Sequence, residues 1–430
     1  MKRFGVGTLG VLLFLLVSCG GNPLTPLTVE LVDGLAQSLL PIAAAWHAGP
    51  PPSTSSSPWI GLPTSQSSWT LPTLPNTRFQ VAFLCPGTGS TQFYVSLDLR
   101  RSELGSHIRV RCPRVYASPP GTANGALLSS PSLTGWVASE DNLFPLSNST
   151  TYGPMTILQS NPPGNSREIA VYGEDSSSNP YFSRSTPLTF GAANTVNLSP
   201  SLVTDSLSVT TALGFSSRAS LILGLVQLPL KQWGPGPPTT VSIARPPLGG
   251  GDYFEFYMGH GNTHALWRYD QADPAVAPSS TLTLSVPPLN ISGSQTHTFS
   301  TLPTFSNIAS SGFSPGLTFV GYALLLSEPG IRYWRHFVSA GALGMSTTYH
   351  LDLQTAPGFS GVVPSSGSNV ELRVSAFAGA QPSGISGNIL ANLLGAKPLP
   401  TETIPGHSLF LDRAWPFHLE VATLQSNFIW

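Results

Sequence analysis

The chain has 430 residues, of which 41% are hydrophobic and 10% aromatic, so it contains enough apolar material for packed cores in about two to four domains. Lysine and arginine number 19 and acidic residues 20, which gives a net charge of −1; charged residues make up only 9% of the chain, against about 25% in an average protein. This balance excludes bulk electrostatic attraction to nucleic acid or to acidic surfaces, so no nucleic-acid partner is expected.

The first residues have the pattern of a secretory signal. Lys2 and Arg3 place positive charge at the start, and residues 4–17 are then apolar or small. This run is too short to cross a bilayer as a helix, which takes about 20 residues, but it suits the hydrophobic region of a signal peptide. The alternative is a buried first helix or strand, which fits poorly because polar residues do not alternate along the run.

The signal ends in Leu16-Val17-Ser18-Cys19. This sequence resembles the lipobox of bacterial lipoproteins, in which a branched apolar residue and two small or permissive residues precede the cysteine. The resemblance implies that the Cys19 sulfur receives a diacylglyceryl group, that the signal peptide 1–18 is cleaved off, and that residues 19–27 form a lipidated tether. Gly20 is not the aspartate that commonly retains such lipoproteins at the inner membrane, so the outer membrane is expected in a Gram-negative cell.

Two further cysteines, Cys85 and Cys112, are each followed directly by proline. An extracytoplasmic compartment is usually oxidising, so the sequence favours a disulfide between them. The alternative is a pair of buried free thiols. Because no CxxC spacing is present, the cysteines make no convincing metal site, and no cofactor is expected.

One pattern recurs along the chain and is the main structural signal: an apolar strand, a polar turn and an aromatic-rich strand. It occurs at residues 79–99, 168–185, 253–270 and 317–337. The second strands carry aromatic residues at corresponding places, Tyr94, Phe182, Trp267 and Trp334. The uneven spacing indicates degenerate repeats, although hairpins would also recur in any all-β chain.

Short alternating apolar runs between Gly-, Pro- and Ser-rich turns predict an all-β fold of tandem antiparallel β-sandwich modules. The predicted modules are residues 28–118, 119–205, 206–290 and 291–430, the last with C-terminal strands. The layout resembles that of exported bacterial lipoproteins with tandem immunoglobulin-like or carboxypeptidase-regulatory-like modules. This second resemblance is one of pattern and implies no functional residue.

No catalytic residue is assigned from the sequence. "GFSPG" at residues 312–316 matches the G-x-S-x-G nucleophile elbow of α/β-hydrolases. A strand is predicted after it in place of a helix, and Pro315 has no N–H to donate to an oxyanion hole. Acidic clusters such as Glu174-Asp175 lie in or beside predicted turns, so a glycosidase pair is hard to nominate.

His260 and His264 lie four residues apart in a glycine-containing hairpin loop. Such a loop could bring both imidazoles to one metal ion or form a proton-sensing site, which makes the pair a weak metal candidate. The alternative is a pair of solvated turn residues, so no metal site is assigned.

Arginine is dense between residues 100 and 115. The five arginines there are Arg100, Arg101, Arg109, Arg111 and Arg114. Strand alternation would place Arg109 and Arg111 on one polar face, and the group could bind phosphate or carboxylate groups of envelope glycans. The alternative is a solvated strand face that Glu103 partly neutralises.

The sequence therefore predicts a lipid-anchored extracytoplasmic protein that binds or scaffolds envelope components, either glycans or other envelope proteins, and contacts the membrane through its acyl chains. Some of the nine tryptophans could stack on sugars, although most are expected in cores. One alternative is an envelope hydrolase acting on polysaccharide or peptide, which needs at least two titratable side chains meeting in a cleft. The other is a mechanical surface or adhesion component, which needs rigid linkers and no pocket.

Overall fold

The computed structural model describes residues 25–33, 37–49, 59–73, 77–86, 91–112, 120–140, 142–159, 167–212, 214–224, 226–237, 239–298, 301–350, 353, 355–380, 390 and 417–430. These residues are built mainly of β-strands in several sheets, so the predicted all-β fold of sandwich modules is confirmed. Helical elements include 3-10 turns at Arg101–Glu103 and Pro274–Val276 and an α-helical turn at Ala340–Leu343. Among the described residues, no helix has the length and apolar character needed to span a membrane.

The first module contains β1 to β7. These strands are β1 (Thr25–Val32), β2 (Ala43–Ala48), β3 (Ile60–Gly61), β4 (Ser68–Thr73), β5 (Arg78–Cys85), β6 (Gln92–Arg100) and β7 (His107–Arg111). A small sheet with the order β4-β1-β7 packs on β2, β5 and β6 through a shared apolar core. In β4 the side chains of Trp69 and Leu71 are buried and those of Ser68, Thr70 and Pro72 are exposed, as expected for a sheet with one face in the core.

The predicted disulfide is confirmed. Cys85, the last residue of β5, is bonded to Cys112, which follows β7, and both are fully buried. The bond therefore joins the two facing sheets of the first module covalently.

The second module contains β8 to β15. These are β8 (Pro120–Ala126), β9 (Leu133–Ala138), β10 (Leu143–Ser149), β11 (Thr151–Leu158), β12 (Ala170–Glu174), β13 (Pro180–Arg184), β14 (Ala193–Thr195) and β15 (Ser201–Leu202). A sheet with the order β11-β8-β14 faces a five-stranded sheet with the order β10-β9-β12-β13-β15. Apolar side chains from both sheets fill the core between them.

The third module contains β16 to β22. These are β16 (Ser206–Thr211), β17 (Ser216–Leu223), β18 (Val226–Trp233), β19 (Thr239–Ala244), β20 (Tyr253–His260), β21 (Thr263–Tyr269) and β22 (Thr281–Leu284). A small sheet with the order β19-β16-β22 packs on β18-β17-β20-β21.

The fourth module contains β23 to β29. These are β23 (Asn290–Thr298), β24 (Thr301–Ser311), β25 (Thr318–Glu328), β26 (Arg332–Ser339), β27 (Tyr349–His350), β28 (Asn369–Ala380) and β29 (Phe417–Ile429). A small sheet with the order β23-β24-β27 packs on β29-β28-β25-β26.

The first three modules share one topology. The middle strand of each small sheet, β1, β8 or β16, pairs antiparallel with one neighbour and parallel with the other. The predicted hairpins β5–β6, β12–β13 and β20–β21 occupy the same position in the facing sheet of each module. The fourth predicted hairpin, β25–β26, forms as expected. Its position differs from that of the other three, since it lies between β28 and β6, and β26 pairs in parallel with β6 of the first module.

The larger sheets of the first, third and fourth modules are continuous. Together they form one twelve-stranded sheet with the order β18-β17-β20-β21-β29-β28-β25-β26-β6-β5-β2-β3. The modules join at the antiparallel pair β21–β29 and at the parallel pair β26–β6. These three modules therefore share backbone hydrogen bonds and do not form a string of separate sandwiches.

The recurring aromatic residues lie at contacts between modules. Tyr94 and Trp334 are opposite each other across the β6–β26 junction, and their rings stack with centroids 5.7 Å apart. Trp267 stacks on His418 across the β21–β29 junction, with ring centroids 4.8 Å apart. Phe182 of the second module packs into the core of the third.

Candidate functional site

A cleft lies between the second and third modules. The five-stranded sheet of the second module has one face in its own core, where Val137 and Val171 are buried. Its other face packs on the third module through Ala138, Ala170 and Tyr172. Both faces of this sheet are therefore covered. The cleft forms where the contact with the third module opens to solvent.

The cleft has an aromatic and apolar wall from the second module. Trp136 in β9 and Leu143 in β10 line it, and 37% of each residue's surface is exposed. Trp136 is the register neighbour of the buried Tyr172 in β12, so both side chains lie on the same face of the sheet. The cavity has a volume of about 480 Å³, within the range of about 300 to 1,000 Å³ that is usual for small-molecule sites.

The opposite side of the cleft comes from β17 and from the edge strand β18 of the third module, and it combines polar with apolar side chains: Arg218, Pro229, Leu230, Lys231 and Gln232. Arg218 in β17 lines the main cavity and also an adjoining cavity of about 160 Å³. Its guanidinium carbon lies 5.6 Å from the ring centroid of Tyr257, and its Nη2 lies 4.0 Å from Oε1 of Glu255. These contacts hold the arginine in place beside the cleft.

An ion pair lies in the sheet beneath the cleft. Glu255 and Arg268 are both buried, and Nε of Arg268 donates a 2.8 Å hydrogen bond to Oε2 of Glu255. Nε2 of Gln227, which lines the adjoining cavity, donates a 2.8 Å hydrogen bond to the other oxygen of the same carboxylate. The polar side of the cleft is thus attached to a fixed hydrogen-bond network.

Charged contacts connect the two modules around the cleft. Lys231 in β18 lies 3.9 Å from Glu174 in β12, and both side chains line the cavity. Arg184 in β13 donates hydrogen bonds to Glu168 of its own module and, at 2.5 Å, to Asp252 of the third module. The buried Asp252 carboxylate also accepts from backbone N–H groups, so this contact fixes the relative position of the modules.

A buried polar cluster lies between the first and fourth modules, with Asp98 of β6 at its centre. The Asp98 carboxylate is fully buried and accepts hydrogen bonds from Nε of Arg78 at 2.9 Å and from Nε2 of Gln80 at 2.8 Å. Nη2 of Arg78 donates a further hydrogen bond at 2.6 Å, and the hydroxyl of Tyr349, from β27 of the fourth module, donates another at 2.8 Å. The carboxylate therefore binds groups from both modules.

His336 in β26 extends this cluster. Its Nε2 lies 2.7 Å from the Tyr349 hydroxyl, and its Nδ1 lies 2.6 Å from Oγ of Ser96. Burial lowers the pKa of His336 to about 4 and, with the neighbouring Asp98, raises the pKa of Tyr349. The combination of Ser, His and Asp resembles the residue types of a hydrolase, but all of these side chains are buried, so their arrangement suits attachment of the modules.

The serine of the "GFSPG" sequence lies in a second polar cluster. Ser314, in the loop between β24 and β25, donates from its backbone N–H and its hydroxyl to the carboxylate of Glu420 at 2.9 and 2.5 Å. The Glu420 carboxylate also lies 3.4 Å from Nε2 of His418. Burial alone would raise the pKa of Glu420, but the contacts with His418 and Ser314 hold it below its usual value. Ser314 therefore has a hydrogen-bond acceptor but not the basic partner of a nucleophile.

The two candidate histidines have separate contacts in the β20–β21 hairpin. Nδ1 of His260 lies 2.8 Å from the carbonyl oxygen of Gly214, whereas Nδ1 of His264 lies 2.8 Å from the hydroxyl of Tyr257. Burial lowers the pKa of His264. The described residues contain no cluster of three or more His, Cys, Asp or Glu side chains able to hold a metal ion.

The candidate anion-binding arginines are distributed over both sheets of the first module. Arg100 and Arg101 lie at the end of β6, where Arg100 is exposed and Arg101 is buried and donates to a backbone carbonyl. In β7, Arg111 is buried and Nε of Arg109 donates a 2.9 Å hydrogen bond to Glu30. Arg114 and the proposed lipidation site Cys19, with the signal 1–18, lie outside the described residues.

Sequence reasoning missed the cleft and the Asp98 cluster, although both leave a signal. Ser96 and Asp98 are polar residues within an otherwise apolar, buried strand, which indicates a buried hydrogen-bond network. In β9, Trp136, Val137 and Ala138 are consecutive apolar residues. Such a run places apolar side chains on both faces and indicates that both faces of the strand meet other parts of the protein.

No family model matches the sequence, and no curated protein does. Solved structures that the chain resembles include a candidate adhesin from Bacteroides ovatus, with 9% identity, a TM-score of 0.16, and coverage of 67% of this chain and 96% of the other. The major pilin subunit of Bacillus cereus has 6% identity and a TM-score of 0.13, with coverage of 74% and 99%. A variant of the major pilin of Streptococcus pyogenes has 7% identity and a TM-score of 0.10, with coverage of 74% and 98%. TM-scores this low support no conclusion about function, so the function is argued from the residues of this chain.

Proposed function

We propose that this chain is a lipid-anchored extracytoplasmic protein that binds or scaffolds other components of the cell envelope and catalyses no reaction. The lipobox-like sequence before Cys19 supports the anchor, and the charge-poor composition suits an exported protein. The observation that carries the proposal is the twelve-stranded sheet, which joins three modules into one body and ends at β18 beside the cleft. A body of this kind presents a fixed binding surface.

The placement of titratable groups favours binding over hydrolysis. A hydrolase would need acid and base groups that face a substrate cleft. His336 and Asp98 are buried between modules, and Glu420 is buried under Ser314. The cleft with exposed Trp136 in turn favours a binding role over a purely mechanical one, which would need no pocket.

The anchor is tested by labelling the protein in cells with an alkyne fatty acid. The wild-type chain should take up the label and Cys19→Ser should not, because the serine has no thiol for the acyl-glycerol group. Crosslinking in intact cells, followed by identification of the crosslinked partners, tests the binding role. Label that persists on the serine variant, or a protein that remains free in the cytosol, would refute the proposal.

A further inference from the structure

We propose that the cleft between the second and third modules binds a short oligosaccharide, with one sugar ring lying on the indole of Trp136. The inference rests on the proposed binding function and names the ligand class of the cleft. Its two elements are a partly exposed tryptophan on the second module and a group of polar side chains on the third. A sugar needs both, because one face of its ring is lined with C–H groups and its edge carries hydroxyl groups.

The aromatic element is Trp136. Most tryptophans in the described residues are buried, including Trp69, Trp267 and Trp334, whereas Trp136 is 37% exposed and lines the cavity. The electron-rich face of an indole attracts the weakly positive C–H groups on the apolar face of a sugar. Trp136 lies in β9, which is paired with β10 on one side and β12 on the other, so the backbone that carries the indole is in place before any ligand binds, which reduces the entropy lost on binding.

The polar element contains donors and acceptors of both charges. Arg218, Lys231 and Gln232 line the cavity from the third module, and Glu174 lines it from the second. Sugar hydroxyl groups both donate and accept, so they can use guanidinium, ammonium, amide and carboxylate groups together. Arg218 is held by Tyr257 and Glu255, so this group is also in place before the ligand arrives.

Other ligand classes fit the lining less well. A phosphate or polyanion would be repelled by the Glu174 carboxylate, which lines the cavity together with the cations Arg218 and Lys231. An apolar peptide side chain would need a lining without charges, whereas the apolar residues of this cavity share it with Glu174, Arg218 and Lys231. The mixed lining and the volume of about 480 Å³ therefore favour a small polyhydroxylated ligand.

The test is calorimetric titration of the natural full-length protein, purified in detergent, with chitotriose, maltotriose and trigalacturonate, supported by a glycan array. At least one saccharide should bind, and Trp136→Ala should weaken that binding roughly tenfold or more. Trp136→Phe, which keeps an aromatic face, should retain most of the affinity. Gln232→Ala should weaken binding by a smaller factor because it removes one hydrogen-bonding group of the rim.

Leu128→Ala is the matched control, because Leu128 is an exposed apolar residue of the same module that does not line the cavity. It should leave saccharide affinity unchanged, and all variants should keep the wild-type melting temperature. The inference is overturned if no saccharide on the array or in solution binds, if binding is unaffected by Trp136→Ala, or if the cleft binds peptides in place of sugars. Acylation of Cys19 is measured separately, so failure of this test does not affect the test of the proposed function.

Discussion

At the scale of single residues, the unusual feature of this charge-poor chain is where its charges lie. Asp98, Glu255, Arg268 and Glu420 are all 1% exposed or less. A buried charge is tolerated only when it is paired and hydrogen-bonded, because removal from water costs several kcal/mol per ion. Each of these residues has such contacts, with Asp98 and Glu420 bound by groups from distant parts of the chain. These charges therefore specify how distant segments pack.

Removing the charge of Asp98 tests this role. Asp98→Asn leaves a side chain of similar shape but removes the partner of Arg78, so we expect the free energy of unfolding to fall by about 3 kcal/mol. Urea denaturation measures the change. Glu371→Gln is the control, since Glu371 and its ion-pair partner Arg373 are both partly exposed, and should change stability by less than about 1 kcal/mol. Equal effects of the two substitutions would contradict the assigned role of Asp98.

His336 should make the stability of the protein depend on pH. Its pKa is lowered by burial to about 4 in the folded state, against about 6.5 in an unfolded chain. Below pH 6.5 the unfolded state therefore binds the proton more readily, and stability is lost as pH falls from about 6.5 through 4. Nearby Asp98 opposes the shift and Arg78 adds to it. The decrease in the free energy of unfolding that is due to His336 should reach about 3 kcal/mol.

The measurement is the free energy of unfolding between pH 7 and pH 4 for the wild type and His336→Gln. Glutamine can still hydrogen-bond to Ser96 and Tyr349 but does not titrate. The variant should lose less stability on acidification than the wild type, so the difference between the two proteins should shrink at low pH. Parallel pH profiles would rule out this role for His336.

At the scale of strands, the sequence predicted the hairpins well because each is specified locally. Apolar strands on either side of a polar turn, as in β5–β6 and β20–β21, need no information from the rest of the chain. The sequence could not reveal that β26 pairs with β6, because that pairing joins residues about 240 positions apart in the chain. The cleft was missed for the same reason: Trp136 lines it only because the third module packs against β9.

The disulfide of the first module has a stabilising effect that can be measured. Its sequence separation is 27 residues, and closing a loop of this length contributes roughly 3 to 4 kcal/mol by the chain-entropy model. A variant with Cys85→Ala and Cys112→Ala should lose about this much stability and should no longer respond to reductant. Cys19→Ser should unfold at the same denaturant concentration as the wild type. A double variant as stable as the wild type would contradict the prediction.

At the scale of the whole molecule, the twelve-stranded sheet determines which parts should unfold together. The first, third and fourth modules share the ladders β21–β29 and β26–β6, so unfolding one of them exposes backbone groups of its neighbour. Stacked rings add to both junctions. The second module contributes no strand to this sheet and contacts the third through side chains. We therefore expect one large cooperative unit and one smaller unit.

Hydrogen exchange with mass spectrometry tests this division. Amides of β6, β21, β26 and β29 should exchange at one common slow rate, whereas strands of the second module should exchange faster through their own unfolding. Trp334→Ala removes the ring that stacks on Tyr94, and a buried aromatic deletion costs roughly 3 to 5 kcal/mol. That loss should speed exchange in β6 and also in β21, which lies four strands away from β26 in the sheet order. Faster exchange confined to β26 and β6 would mean that the modules unfold independently despite their shared sheet.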